Sequence, residues 1–387
     1  MKKDFTFSMS TRIEFGEGKL SRTGDYTEEL NASRVLVITD KGIAGTEIMG
    51  KVKNSLASKN IKYEIYDKVR ENPRDMDAQE TYDTFSQNPP DAVIACGGGS
   101  SMDLAKAVAA LFTNGGKISE IINPNKLKRK PLPTICIPTT AGTGSEVTSF
   151  AVLTLEKEQR KSSVFDDKIR PDIAINDPEV LKSVPKSIGA ATGMDALTHA
   201  IEAYTCRLST PLTDAMALYA IKNIGENILD FVETKSDESC RAMMLGSLMA
   251  GIAFGFSDIA GVHCMAEALG GMYDTSHGVA NSIFLPFVFE YNIEADIKKH
   301  RDVAAALGVD TNGKSDRQIA FEGAEWIRDM SERLEIKNLK EIEGVTPECF
   351  ELLAEKCMKN VSLKSNAREL SKEDFVMLYK KAYEYTR

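Results

Sequence analysis

Up to about residue 185 the chain alternates short β-branched or apolar runs with longer stretches in which an apolar position returns every three or four residues. The runs are RVLVIT (34–39), IKYEIY (61–66), DAVIAC (91–96) and PTICIP (133–138). Strands alternating with helical segments predict βαβ units and a largely parallel sheet. After Pro185 helical segments take over, at 189–205, 213–230, 239–256, 316–334, 347–360 and 371–385. The last opens with Ser371 three residues before Asp374, the spacing of a capping box. The pattern predicts an α/β plus all-α fold: a parallel-sheet domain over 1–185 and an all-helical domain over 186–387. With no internal repeat visible, the boundary rests on the change of period. A length of 387 residues also suits two domains.

Composition removes several function classes. The chain is 42% hydrophobic and 27% charged, which is ordinary for a globular protein. A net charge of −9 disfavours nucleic-acid and anionic-membrane partners, which need clustered Lys and Arg; LKRK at 127–130, the densest basic run, lies between prolines and is expected to be a solvated loop. The N-terminus lacks the apolar run of a secretory signal, and no 18 consecutive apolar residues occur. Seven scattered cysteines without a CxxC predict free thiols in a reducing cytoplasm. A homo-oligomer, dimer or higher, acting on a small molecule is expected.

Chemistry enters at the strand ends. RVLVIT runs into Asp40, where doubly wound sheets place an acid on an adenosine ribose, although Asp also starts turns. DAVIAC is followed by Gly97-Gly98-Gly99-Ser100-Ser101 and a helical stretch containing Asp103. Glycines let a backbone approach a pyrophosphate, and a helix N-terminus offers N–H groups to it. The spacing is not GxGxxG, so a tight turn capped by a serine explains this segment equally well. A second loop tips the balance: PTICIP leads into Thr139-Thr140-Ala141-Gly142-Thr143-Gly144-Ser145, rich in small donors.

Only four histidines occur in the chain. His199 follows Asp195 by four residues, so in a helix the two share a face. His263 lies roughly 65 residues further on and His277 fourteen beyond it, in AGVHCMAEALGGMYDTSHGVANSIFLP. A lone histidine on an apolar face is usually a core residue, but three with an aspartate have the ligand types of an Fe²⁺ or Zn²⁺ site. Such a metal beside a hydride donor would interconvert alcohol and aldehyde. His300, in KKHRD, is expected to be solvated.

The stretches GGGSSMD (97–103), PTTAGTGSEVTSFAVLT (138–154), GMDALTHAIEAYT (193–205) and VHCMAEALGGMYDTSHGVANSIFLP (262–286) together resemble the iron-containing (group III) alcohol dehydrogenases, and the similarity reaches LSKEDFVMLYKKAYE (370–384). The resemblance implies a Rossmann-like NAD-binding domain and a helical metal-binding domain in a dehydroquinate synthase-like architecture. It implies Asp195, His199, His263 and His277 as ligands, usually to Fe²⁺ and in some members Zn²⁺. It places cofactor contacts at Asp40, Gly98, Gly99, Ser100, Asp103, Thr139, Thr140, Thr143, Ser145 and Lys161, with Asp40 favouring NAD over NADP by repelling a 2′-phosphate. Many members carry a histidine where this chain has Glu267; a carboxylate there could relay a proton or orient a ligand.

The expected function is a metal-dependent, NAD(H)-linked alcohol dehydrogenase or aldehyde reductase. Between Ala242 and Ile297 no Lys or Arg occurs, whereas Asp258, Glu267 and Asp274 are acidic. That wall offers an anion no clamp, which favours a short neutral aldehyde or diol; a hydroxy acid or sulfonated aldehyde requires other donors. The alternatives are a dehydroquinate synthase-type metal/NAD lyase, without net NADH consumption, glycerol-dehydrogenase-like oxidation of a secondary alcohol, and a non-catalytic binding protein.

Overall fold

The computed structural model describes residues 4–385, so the outer ends of the two expected domains, 1–3 and 386–387, lie outside it. Nine strands form among these residues: β1 Arg12–Phe15, β2 Arg34–Asp40, β3 Lys62–Val69, β4 Ala92–Gly97, β5 Asn123–Pro124, β6 Thr134–Pro138, β7 Phe150–Leu155, β8 Arg160–Phe165 and β9 Ile173–Asn176. Six make one sheet in the order β1-β9-β6-β4-β2-β3, every pairing parallel. All of β4 and β6 is buried, as expected of strands covered on both faces. The edge strand β3 exposes most of its residues. β5, β7 and β8 form a separate three-stranded sheet.

The chain divides into two compact units. One comprises Ser8–Thr140 with Ser145–Val184. Its core sets Leu36, Ile38, Val93 and Cys136 from the sheet against Leu104, Val108 and Leu111 from the helix Gly99–Asn114. β1, β9 and the small sheet add to the four runs legible in the sequence. β1 and β9 are only four residues each, too short for a periodic signal.

The second unit comprises 185–385 together with Ala141–Gly144 and residues 4–7. The four-residue loop therefore departs from a single boundary at 185, and the reason is steric. Gly144 has φ +61°, and a Cβ there would stand 2.4 Å from Cα of Gly251, so the backbones touch. The unit is built around the helix Lys186–Thr205, buried almost throughout from Gly189 onward, so apolar and polar members alike face protein. Helices Pro211–Glu233, Asp237–Gly255 and His277–Asn292 pack against it. The final helix, Lys372–Glu384, has the expected box: Ser371 N–H donates to Asp374 at 2.9 Å and Asp374 N–H to Ser371 Oγ at 3.2 Å.

Two local expectations are corrected. The segment expected as one helix over 347–360 is a 3₁₀ turn, Pro347–Cys349, followed by the helix Phe350–Cys357. His300 is buried, not solvated: on the helix Ile297–Ala306 it shares the inner face with Val303 and Ala304, packs on Phe289 at 4.7 Å between ring centroids, and hydrogen-bonds the Asp296 carbonyl through Nδ1. Its neighbour Lys299 is also turned inward, donating to Ser209 Oγ at 2.6 Å and pairing with Asp214 at 3.1 Å, and a three- to four-residue period lets one apolar stripe hide inside a charged run.

Candidate active site

In the sheet unit, Asp40, Gly97 and Pro138 stand at the carboxyl ends of β2, β4 and β6, three adjacent strands. Ligands of doubly wound sheets bind at this edge. The glycine loop turns sharply into the helix Gly99–Asn114: a Cβ on Gly97 would stand 2.4 Å from Ser101 Oγ, so that position tolerates no side chain. Gly98 faces Thr140, and Thr139 N–H donates to the Gly97 carbonyl at 3.0 Å, joining the two loops. Asp40 accepts from Ile43 N–H at 3.1 Å, capping a single helical turn.

Of the other expected nucleotide residues, Ser145 donates to Asp103 Oδ1 at 2.6 Å and Val152 N–H donates to Asp103 Oδ2 at 3.0 Å. This pair holds the second loop onto the helix of the first. Lys161 lies on β8, opposite Thr154 of β7, and Thr143 groups with the helical unit. Sequence reading missed Lys106, one turn beyond Asp103. Its fully buried Nζ donates to the carbonyls of Ser145 (2.9 Å) and Phe150 (2.5 Å) and to Thr148 Oγ1 (3.3 Å), and it lies 3.3 Å from Asp103.

In the helical unit the structure brings Asp195, His199, His263 and His277 together, one ligand atom from each lying within 4.8 Å of the others. Asp195 and His199 share a face of Lys186–Thr205, His263 belongs to the first turn of Gly261–Tyr273, and His277 opens His277–Asn292. The last helix comes close because Gly278 has no side chain; a Cβ there would stand 2.3 Å from the Ala191 carbonyl oxygen. His199 is stacked on Phe254 with centroids 4.3 Å apart. Burial pushes its imidazole down to about 4, keeping it neutral near pH 7.

The polar atoms fit a cation. Buried Nδ1 of His199 has no hydrogen-bond partner and stands 3.9 Å from the Asp195 carboxylate. The single amide nitrogen of Asn281 serves Asp195 Oδ1 (2.7 Å), His263 Nε2 (3.1 Å) and His277 Nε2 (3.2 Å), while its own Oδ1 is buried without a partner. Two hydrogens cannot satisfy three acceptors. A divalent ion satisfies them all, and three imidazoles with one carboxylate suit Fe²⁺ or Zn²⁺.

Two further carboxylates border the cluster. Glu202, seven residues after Asp195 and buried, accepts from His263 Nδ1 at 2.5 Å. A Glu one turn after a candidate ligand, among the apolar residues Ala200, Ile201 and Ala203, is the signal that could have found it. Glu267, one turn after His263, accepts from Asn360 Nδ2 at 2.7 Å.

Residues 10–178 match the family described as iron-containing alcohol dehydrogenase, and residues 189–383 match the C-terminal part of the Fe-containing alcohol dehydrogenase family. The chain is 37% identical over 375 residues to alcohol dehydrogenase 4 of Saccharomyces cerevisiae, covering 96% of each. It is 34% identical over 368 residues to the NAD-dependent methanol dehydrogenase of Bacillus methanolicus, covering 95% of this chain and 97% of the relative. A crystal structure of a 1,3-propanediol oxidoreductase superposes with a TM-score of 0.95 at 33% identity, covering 98% of this chain and 100% of that one.

A parallel sheet with glycine-rich loops at its strand ends and an Asp-His₃ set in a helical unit accompany these matches, and the class is that of metal- and NAD-dependent oxidoreductases. The chain belongs to the iron-containing alcohol dehydrogenase family. It is an NAD-dependent alcohol dehydrogenase/aldehyde reductase whose cofactors are NAD(H) and Fe²⁺.

Proposed function

We propose that the enzyme reduces short, neutral aldehydes to primary alcohols, and runs the reverse oxidation, with the metal held by Asp195, His199, His263 and His277. The observation that carries the substrate class is the charge of the segment bearing two of these ligands: from Ala242 to Ile297 there is no cationic residue. An aldehyde with a carboxylate or sulfonate would find no Arg or Lys there to pair with. The relatives named for methanol and 1,3-propanediol have small neutral alcohols in their names.

When bound, the divalent ion supplies Lewis-acid polarisation of a carbonyl and NADH supplies the hydride. The chain's part is to hold both. Asp40, Gly98, Gly99, Ser100, Thr139, Thr140, Thr143 and Lys161 are proposed to contact the nucleotide, with Asp103 and Ser145 fixing the loops around it. Residues 1–185 would then serve mainly NAD(H) and 186–387 the metal. Glu267, held by Asn360 on the face that carries His263, is proposed to pass the proton of the alcohol hydroxyl. All seven cysteines are free, which supports a cytoplasmic setting. No helix among the described residues is long and apolar enough to cross a membrane. A homo-oligomer is proposed, to be checked by light scattering.

The test is anaerobic NADH oxidation by Fe²⁺-loaded enzyme across neutral and anionic two- to five-carbon aldehydes. Neutral substrates are expected to be preferred in kcat/KM by about tenfold or more, a penalty of roughly 1.4 kcal/mol for the unpaired anion. Faster turnover of the anionic members would overturn the substrate class. A second expectation concerns the nucleotide. Asp40→Asn keeps an acceptor for Ile43 but removes the charge, so the ratio of kcat/KM for NADPH over NADH should rise by about tenfold or more. An unchanged ratio would remove Asp40 from the ribose site.

A further inference from the structure

We propose that Glu202 is a positioning residue for the metal centre: one buried carboxylate fixes both the tautomer of His263 and the start of the helix that carries it. The inference rests on the reading of His263 as a ligand.

Glu202 lies three residues after His199 and seven after Asp195 on Lys186–Thr205. At 3.6 residues per turn all three fall on one stripe of that helix. Its Oε2 accepts from His263 Nδ1 at 2.5 Å and from Ala260 N–H at 2.9 Å, and its Oε1 accepts from Val262 N–H at 2.7 Å. The helix Gly261–Tyr273 begins at Ala260, whose methyl group can cap nothing. The orphan N–H groups of its first turn need acceptors from elsewhere, and a carboxylate at a helix N-terminus also meets the positive end of the dipole. Glu202 supplies that cap from a neighbouring helix.

The same oxygen acts on the ring. A carboxylate can only accept, so Nδ1 of His263 must carry a proton, and in the neutral ring Nε2 is left with its lone pair. Nε2 is the nitrogen that meets the ligand cluster, 3.1 Å from Asn281. With three donors on one buried charge, Glu202 is compensated and His263 cannot rotate without breaking the cap. The side chain thus couples the two ligand-bearing segments that the chain keeps far apart.

Glu202→Gln keeps the shape, but in either orientation its amide nitrogen would turn hydrogens of its own toward at least one N–H donor. Metal affinity, measured by competition with a chromophoric chelator, should fall about 10–100-fold, with NADH affinity within twofold of the parent. A merely structural cap would lower the melting temperature of the apoprotein and leave metal affinity unmoved; that outcome overturns the proposal. Failure of the parent enzyme to bind metal would instead overturn the ligand assignment. Should Glu202→Gln not fold, the unaltered protein decides. In a ¹⁵N-histidine spectrum of the four histidines, the resonance missing from His263→Gln should show an Nδ1-bound, downfield proton, and a ring protonated at Nε2 and not at Nδ1 would refute the assignment.

Discussion

His277→Ala should abolish metal retention and cut turnover by about 10³-fold or more, while NADH still binds. The Lewis-acid contribution of a bound ion amounts to several kcal/mol, and each 1.4 kcal/mol is about tenfold in rate. His277 suits the test because of its place in the cluster. Its side chain is 27% exposed, against 5% or less for the other three proposed ligands. Truncation there opens the rim of the site and leaves no large cavity in the core, so the fold should survive. Metal content by elemental analysis, NADH binding by fluorescence and aldehyde-dependent NADH oxidation together read the outcome. Sustained turnover by a metal-free His277→Ala enzyme would sink the assignment of the metal site.

Lys106→Met should have the opposite profile, losing the nucleotide and keeping the metal. The Lys106 ammonium is fully buried and is shared among two carbonyls, a hydroxyl and Asp103. Methionine fills the space but leaves the Ser145 and Phe150 carbonyls without this donor and removes the ammonium that stands 3.3 Å from Asp103. A buried group stripped of its partner costs about 1–3 kcal/mol, and breaking a buried ion pair about 3–5 kcal/mol. The segment from Ser145 to Val152 should loosen from the helix Gly99–Asn114, and NADH affinity should fall about tenfold or more. Calorimetric melting and NADH titration check this, with metal content as the control. Unaltered NADH binding in a folded Lys106→Met protein would separate the Lys106 clamp from the nucleotide site.

Much of this was legible in local pattern. Buried strands of a parallel sheet write themselves as continuous apolar runs, which is why β2, β4 and β6 stood out. The edge strand β1 and the short β9 did not, because four residues carry too little periodicity. The pairing of Asp195 with His199 followed from a helical period of 3.6 residues. His300 misled for the same reason: its stripe is apolar inward, but its immediate neighbours are charged.

What the sequence determined alone was chemical type and local geometry: which rare side chains the protein owns, which of them share a helical face, where Ser371 caps a helix, and that Gly97 opens a strand-to-helix turn. These depend on residues within about one or two turns of each other. The tertiary structure alone decided which buried groups meet. That Glu202 accepts a hydrogen bond from His263 Nδ1, that Lys106 pins a loop dozens of residues away, and that Gly144 draws its loop onto Gly251 are long-range contacts. A buried polar atom must be satisfied, but local sequence does not say by whom. The partner is fixed only when the core closes and leaves one acceptor within reach.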